Sequence, residues 1–102
     1  MIDENTVAAF IAEHGLACGV EARYIDLVSE VGELGKELLR ATDWHRWPFR
    51  GSPGAGEELG DCLFALIALA GEMGLNPAAA LGSALAKYRA RLARTGDIGS
   101  GR

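Results

Sequence analysis

Residues 20–41 read VEARYIDLVSEVGELGKELLRA. Tyr24, Leu27, Val28, Val31, Leu34, Leu38 and Leu39 recur with the 3.6-residue period, so the stretch predicts one long amphipathic helix with an apolar stripe. Two glycines, Gly32 and Gly35, interrupt it. Each costs about 1 kcal/mol of helix propensity, which points to close approach of another backbone.

Outward from this helix the same logic finds three more. Val7, Ala8, Phe10 and Ile11 share a face in a segment over 4–14 that stops at Gly15. A third helix is expected from Glu57 to about Gly74. Its middle, CLFALIALAG, is apolar on all sides and must be covered on all sides. In so short a chain a partner subunit is the natural cover. Asn76 fits a helix N-cap and Pro77 the first helical position, opening a fourth helix that runs to about Arg94 and stops before Gly96. The segment TDWHRWPFRGSPGAG between the second and third helices is rich in Pro and Gly and reads as loop. No period-2 strand pattern and no internal repeat is present. The fold expected is an all-α four-helix bundle with antiparallel neighbours, oligomeric, occupying residues 1–95, with a loose tail over 96–102.

Composition narrows the function. The chain has 102 residues, 49% apolar and 24% charged, which suits one globular domain. A net charge of -4 removes the basic field that a nucleic-acid binder carries. The start MIDENTVAAF bears early acids and no basic n-region. The longest apolar run, Cys62 to Gly71, falls short of the ~20 residues that span a bilayer. A soluble, cytoplasmic protein without a membrane partner is expected. Cys18 and Cys62 form no CxxC motif and stand far apart in sequence, so two reduced thiols are expected.

The chemistry sits in two short pieces. Glu30 and Glu33 are three apart on the second helix, and Glu58 and Asp61 are three apart on the third. Each pair shares a helical face, and on adjacent antiparallel helices the pairs can converge. Two unit charges 4 Å apart cost about 4 kcal/mol at an effective dielectric near 20. The conflict is resolved by protonation or by a cation, and an all-oxygen set suits magnesium, or manganese, over zinc or copper. The competing interpretation is that these acids are solvated helix faces. With a third helix starting near Glu57 the two pairs differ in level by about 9 Å, so the loop is expected to fold back along the second helix.

EVGELGKELL followed by EELGDCLFALIALAGEMGLNP resembles the MazG-like nucleoside triphosphate pyrophosphohydrolases, an all-α superfamily. Their ExxE, gap, ExxD pattern is matched by Glu30, Glu33, Glu58 and Asp61, with 24 residues between Glu33 and Glu58. Lys87 and Arg91 in KYRARLAR are similar to the family's last-helix K-[FY]-x-x-R stretch. The resemblance spans roughly residues 20–94. It implies a four-helix fold acting as a homodimer or homotetramer, and magnesium-dependent hydrolysis of a nucleoside triphosphate to monophosphate and pyrophosphate. Leu85 stands where the family often has Asn, and the first-helix residues of a dCTP-preferring branch are not recognisable, so base and sugar preference stay open.

On this reading Glu30, Glu33, Glu58 and Asp61 hold the metal, and Glu33 is the candidate to take a proton from the attacking water. Lys87 and Arg91, one turn apart, are candidates for the outer phosphates. A solvated basic face near a helix C-terminus is the alternative for both. Trp44 and Trp47 are candidates to stack on a base; anchoring the loop to the core or to a partner is the alternative. His14 and His45 are not expected to be ligands, Asp26 is expected at the surface, and Lys36 and Glu37 as an exposed charge pair. Two further functions remain open: a non-catalytic MazG-like helical dimer that binds nucleotide, metal or a protein partner, and a purely structural helical protein.

Overall fold

A computed structural model describes residues 1–99. Four helices follow one another, α1 Glu4–His14, α2 Val20–Ala41, α3 Pro53–Glu72 and α4 Pro77–Thr95, and no strand occurs among the described residues. Local chemistry sets most boundaries. The Asp3 carboxylate accepts from the Asn5 and Thr6 amides while the Thr6 hydroxyl accepts from the Asp3 amide, closing a capping box. Gly15 ends α1 in the left-handed conformation, at φ 62°. Asn76 caps α4 through the Ala79 amide, and Gly96 ends it at φ 75°.

The third helix departs from the sequence reading. It starts at Pro53, four residues before Glu57, and ends at Glu72. The Ser52 hydroxyl accepts from the Ala55 amide, and Pro53 takes the first helical position, where its missing N–H is no loss. This start outweighs the poor helix propensity of Gly54 and Gly56. The earlier start removes most of the difference in level between the two acidic pairs, so the loop has no need to fold back along α2.

Between α2 and α3 the chain turns sharply. The Thr42 hydroxyl donates to the Leu38 carbonyl at 2.8 Å, and Asp43, Trp44 and His45 follow with φ of 47°, 55° and 71°. Three successive non-glycine residues thus occupy the left-handed region.

α3 is the central element. It packs along α2 and against α1, where Phe10 meets Phe64 edge to face at 6.0 Å. Arg23 is buried and donates to the Leu16 carbonyl, while Glu72 accepts from the Cys18 amide at 2.9 Å. These contacts tie the α1–α2 linker to α2 and α3. The only buried apolar residues among those described are Ala65, Ala68, Leu69 and Ala70, all in the stretch expected to be covered on every side. Leu63 and Leu66 within it remain half-exposed.

α4 turns away from α3 at 101° and packs against neither α2 nor α3 to a comparable extent. The result is an open molecule. Its radius of gyration is 16.7 Å, against about 13 Å for a compact chain of this length. Its accessible surface is 7398 Å², against about 5,500 Å² for a compact monomer of 10.8 kDa. No single described helix is long and apolar enough to cross a membrane. Residues 96–99 turn back on α4 through Arg91, which donates to the Ile98 carbonyl at 3.0 Å; the rest of the expected tail, 100–102, lies outside the described residues.

Candidate metal centre

Glu30 projects from the middle of α2, and Glu58 and Asp61 from the first half of α3. Carboxylate oxygens of these three residues lie within 4.8 Å of one another. Glu30 and Glu58 are half-buried and Asp61 is exposed, so one side of the group is open to solvent. Loss of water around Glu30 raises its pKa, and the charges of Asp61, Asp26, Glu58 and Glu33 raise it further. Glu58 is raised in the same way, by desolvation first and then by Asp61 and Glu33. Asp26, expected to be an uninvolved surface acid, is therefore close enough to add to the field on Glu30.

Glu33 stands outside the three-residue group. Its carboxylate is 3.9 Å from Lys36 Nζ, yet its charge is felt at both Glu30 and Glu58. The pairing expected between Lys36 and Glu37 is not found: Lys36 pairs with Glu33, and Glu37 pairs with Arg40. Arg40 donates two hydrogen bonds to Glu37, at 2.9 and 2.5 Å, and the Ser52 hydroxyl donates a third. Arg40 first, and Ser52 second, hold the Glu37 carboxyl down at about 2. The sequence carried a signal for the Glu37–Arg40 pair in its i, i+3 spacing and for the helix start in the Ser-Pro pair that opens α3, but none for the contact between the two.

The donor set fits a small hard cation. Oxygens about 2.1 Å from an octahedral ion stand about 3.0 Å apart when adjacent and about 4.2 Å apart when opposite, so the three carboxylates, within 4.8 Å of one another, would have to draw together around it. No sulfur or imidazole belongs to the group. Cys62 neighbours it, and desolvation together with the charges of Glu30, Glu58 and Asp61 pushes its thiol pKa up, keeping it protonated. Both cysteines are free.

The remaining candidates are not at this group. Lys87 and Arg91 lie on the outlying α4, where both cations sit against the Tyr88 ring, at 5.0 and 6.0 Å from its centroid. Trp44 is 71% exposed and Trp47 52%. Neither lines the apolar groove beside the loop, which is formed by Gly32, Gly35, Leu38, Leu39, His45 and Phe49 with their neighbours. At 100° per residue, Gly32, Gly35 and Leu39 lie on the side of α2 turned away from Glu30. A Cβ at either Gly32 or Gly35 would meet nothing within 4 Å, so no backbone from another element among the described residues approaches them.

No family model, curated protein or solved structure matches this chain.

Proposed function

We propose that this chain is a divalent-metal-dependent nucleoside triphosphate pyrophosphohydrolase of the MazG-like kind, releasing a nucleoside monophosphate and pyrophosphate. The observation that carries the proposal is the convergence of Glu30, Glu58 and Asp61 from two helices into a single oxygen-lined group. The sequence pattern that includes Glu33 adds to it.

When bound, magnesium or manganese would neutralise phosphate charge and acidify a coordinated water. Glu30, Glu58 and Asp61 would hold the ion. Glu33, beside the group and not within it, would accept a proton from water or supply a further ligand. Lys87 and Arg91 would offer charge-assisted hydrogen bonds to the outer phosphates, and Trp44 or Trp47 a face for the base. In the single chain α4 stands off from α2 and α3, so the phosphate role requires a partner copy or a movement of α4.

The working form is proposed to be a homodimer or homotetramer in which antiparallel helices complete a bundle, in the cytoplasm, with nucleotide-pool house-cleaning as its role. The surplus of accessible surface over a compact monomer, about 1,900 Å², exceeds the roughly 800 Å² per partner of a standard interface. The test is pyrophosphate release from a panel of canonical and modified triphosphates, with magnesium and micromolar enzyme. Turnover that Glu58→Gln abolishes, with helix content intact, is the expected result. No release from any triphosphate would overturn the reading.

A further inference from the structure

Glu37 is linked to the start of α3 by contacts that local helix structure does not demand. The Ser52 hydroxyl that caps α3 donates to Glu37, and Arg40, already paired with Glu37, also reaches that hydroxyl at 3.4 Å. A Cβ on Gly54 would lie 2.7 Å from the Glu37 carboxylate. Glycine at 54 therefore lets the carboxylate lie against the α3 backbone. With Ser52 as N-cap, one residue carries both the helix start and the link to α2.

The position of this link along the helices gives it a consequence. Seven residues back from Glu37 is Glu30, and seven forward from Gly54 is Asp61. Each step is two turns, about 10 Å along the axis. The meeting of Glu30 with Asp61 thus lies two turns from the meeting of Glu37 with Gly54. The intermediate step of four residues on each helix sets Glu33 level with Glu58.

We propose that Glu37, with Arg40 and Ser52, is a register pin: a positioning group that fixes how far α2 and α3 are slid past one another, and so fixes the spacing of the acids two turns away. Its effect on metal affinity rests on the function proposed above; its effect on register does not. Slippage by one residue would displace the carboxylates by about 1.5 Å along the axis and rotate them by 100°, enough to spoil a site that needs sub-ångström placement.

The test compares manganese binding, followed by electron paramagnetic resonance, in the wild type, Glu37→Gln, Ser52→Gly and Ser52→Thr. Glycine still serves as an N-cap at a cost of only a few tenths of a kcal/mol, so Ser52→Gly removes the hydroxyl and spares the helix start. Threonine keeps both. Glu37→Gln and Ser52→Gly are expected to weaken manganese binding by up to about tenfold, the lower end of what loss of a partner bonded directly to a metal ligand costs, with unchanged circular dichroism and with Ser52→Thr near wild type. Equal affinity in all four overturns the pin. Absence of manganese binding in the wild type overturns the metal reading alone, and the pin is then decided by distance. Spin labels at positions 36 and 57, in a Cys18→Ser, Cys62→Ala background diluted with unlabelled protein, should give one narrow distance that broadens or shifts in Glu37→Gln and Ser52→Gly. A distribution unchanged in both variants overturns the pin.

Discussion

Acidic side chains along one face of α2 titrate in opposite directions, and the signs can be followed through to stability. Glu37 is held at about 2, below its ordinary 4.5, so the stability it contributes is full above 4.5 and disappears as pH falls from there to about 2. Glu30 and Glu58 are raised, so their ionisation works against the fold, and stability returns as pH falls through their folded-state values. In the presence of a chelator the melting temperature should therefore rise as pH is lowered towards 4.5 and fall below 4.5. Calorimetry on two variants separates the limbs: Glu58→Gln should flatten the first and Glu37→Gln the second. Cys62 reports on the same acids. Its alkylation should be slower than that of the exposed Cys18, and Glu58→Gln should speed it by removing one of the charges that raise it. Trp44 supplies a residue-scale test of backbone strain. A left-handed conformation costs a non-glycine residue roughly 1–2 kcal/mol, and glycine there loses up to about 1 kcal/mol of that through its freer unfolded chain. Trp44→Gly should thus leave the melting temperature unchanged or raise it by a few degrees. If the indole stacks a base, the same variant should raise KM.

At the scale of the helices, α1 and α4 are legible because each is bounded by a signal with a local cause, a capping side chain, a proline at the first position or a glycine that turns left-handed, and α2 because its apolar stripe keeps the helical period throughout. Asn76→Ala tests one of these and should cost about 1 kcal/mol, a fall of about 4–8 °C in melting temperature for a domain of this size. The start of α3 is masked in the sequence because Gly54 and Gly56 read as helix breakers and Ser52 and Pro53, the cap and first-turn pair, read as part of the loop. The convergence of Glu30 with Glu58 and Asp61 followed from periodicity once the helices were taken as neighbours. The link from Glu37 to Ser52 did not, because it crosses from one element to another, and neither residue has a spacing that reveals its partner. The left-handed run at Asp43–His45 was equally hidden, since no glycine marks it.

For the molecule as a whole, the exposed apolar surface is the dominant feature. Tyr24, Ile25, Val28 and Val31 on α2 and Leu81, Leu85 and Leu92 on α4 all remain at least two-fifths exposed. Exposed apolar surface on this scale commonly marks a contact surface. Light scattering should accordingly give a mass at least twice 10.8 kDa, and Leu85→Asp should lower it. Gly35 gives a sharper reading. Within one chain its Cβ would meet only open space, so Gly35→Ala should gain about 1 kcal/mol of helix propensity. If a second copy covers this face closely, the added methyl will collide across the interface, and melting temperature and mass will both drop. We expect the drop.

The link between Glu37 and Ser52 also has a consequence for design. The residues that would grip an ion and those proposed to hold them in step all lie within residues 30–61, while α1 supplies cover and α4 outlying charge. Such a unit would be portable if the proposed pin holds. Transplanted onto another pair of helices of matching tilt, it would take its alignment with it, leaving the host to provide only a dry flank and a docking place for the substrate.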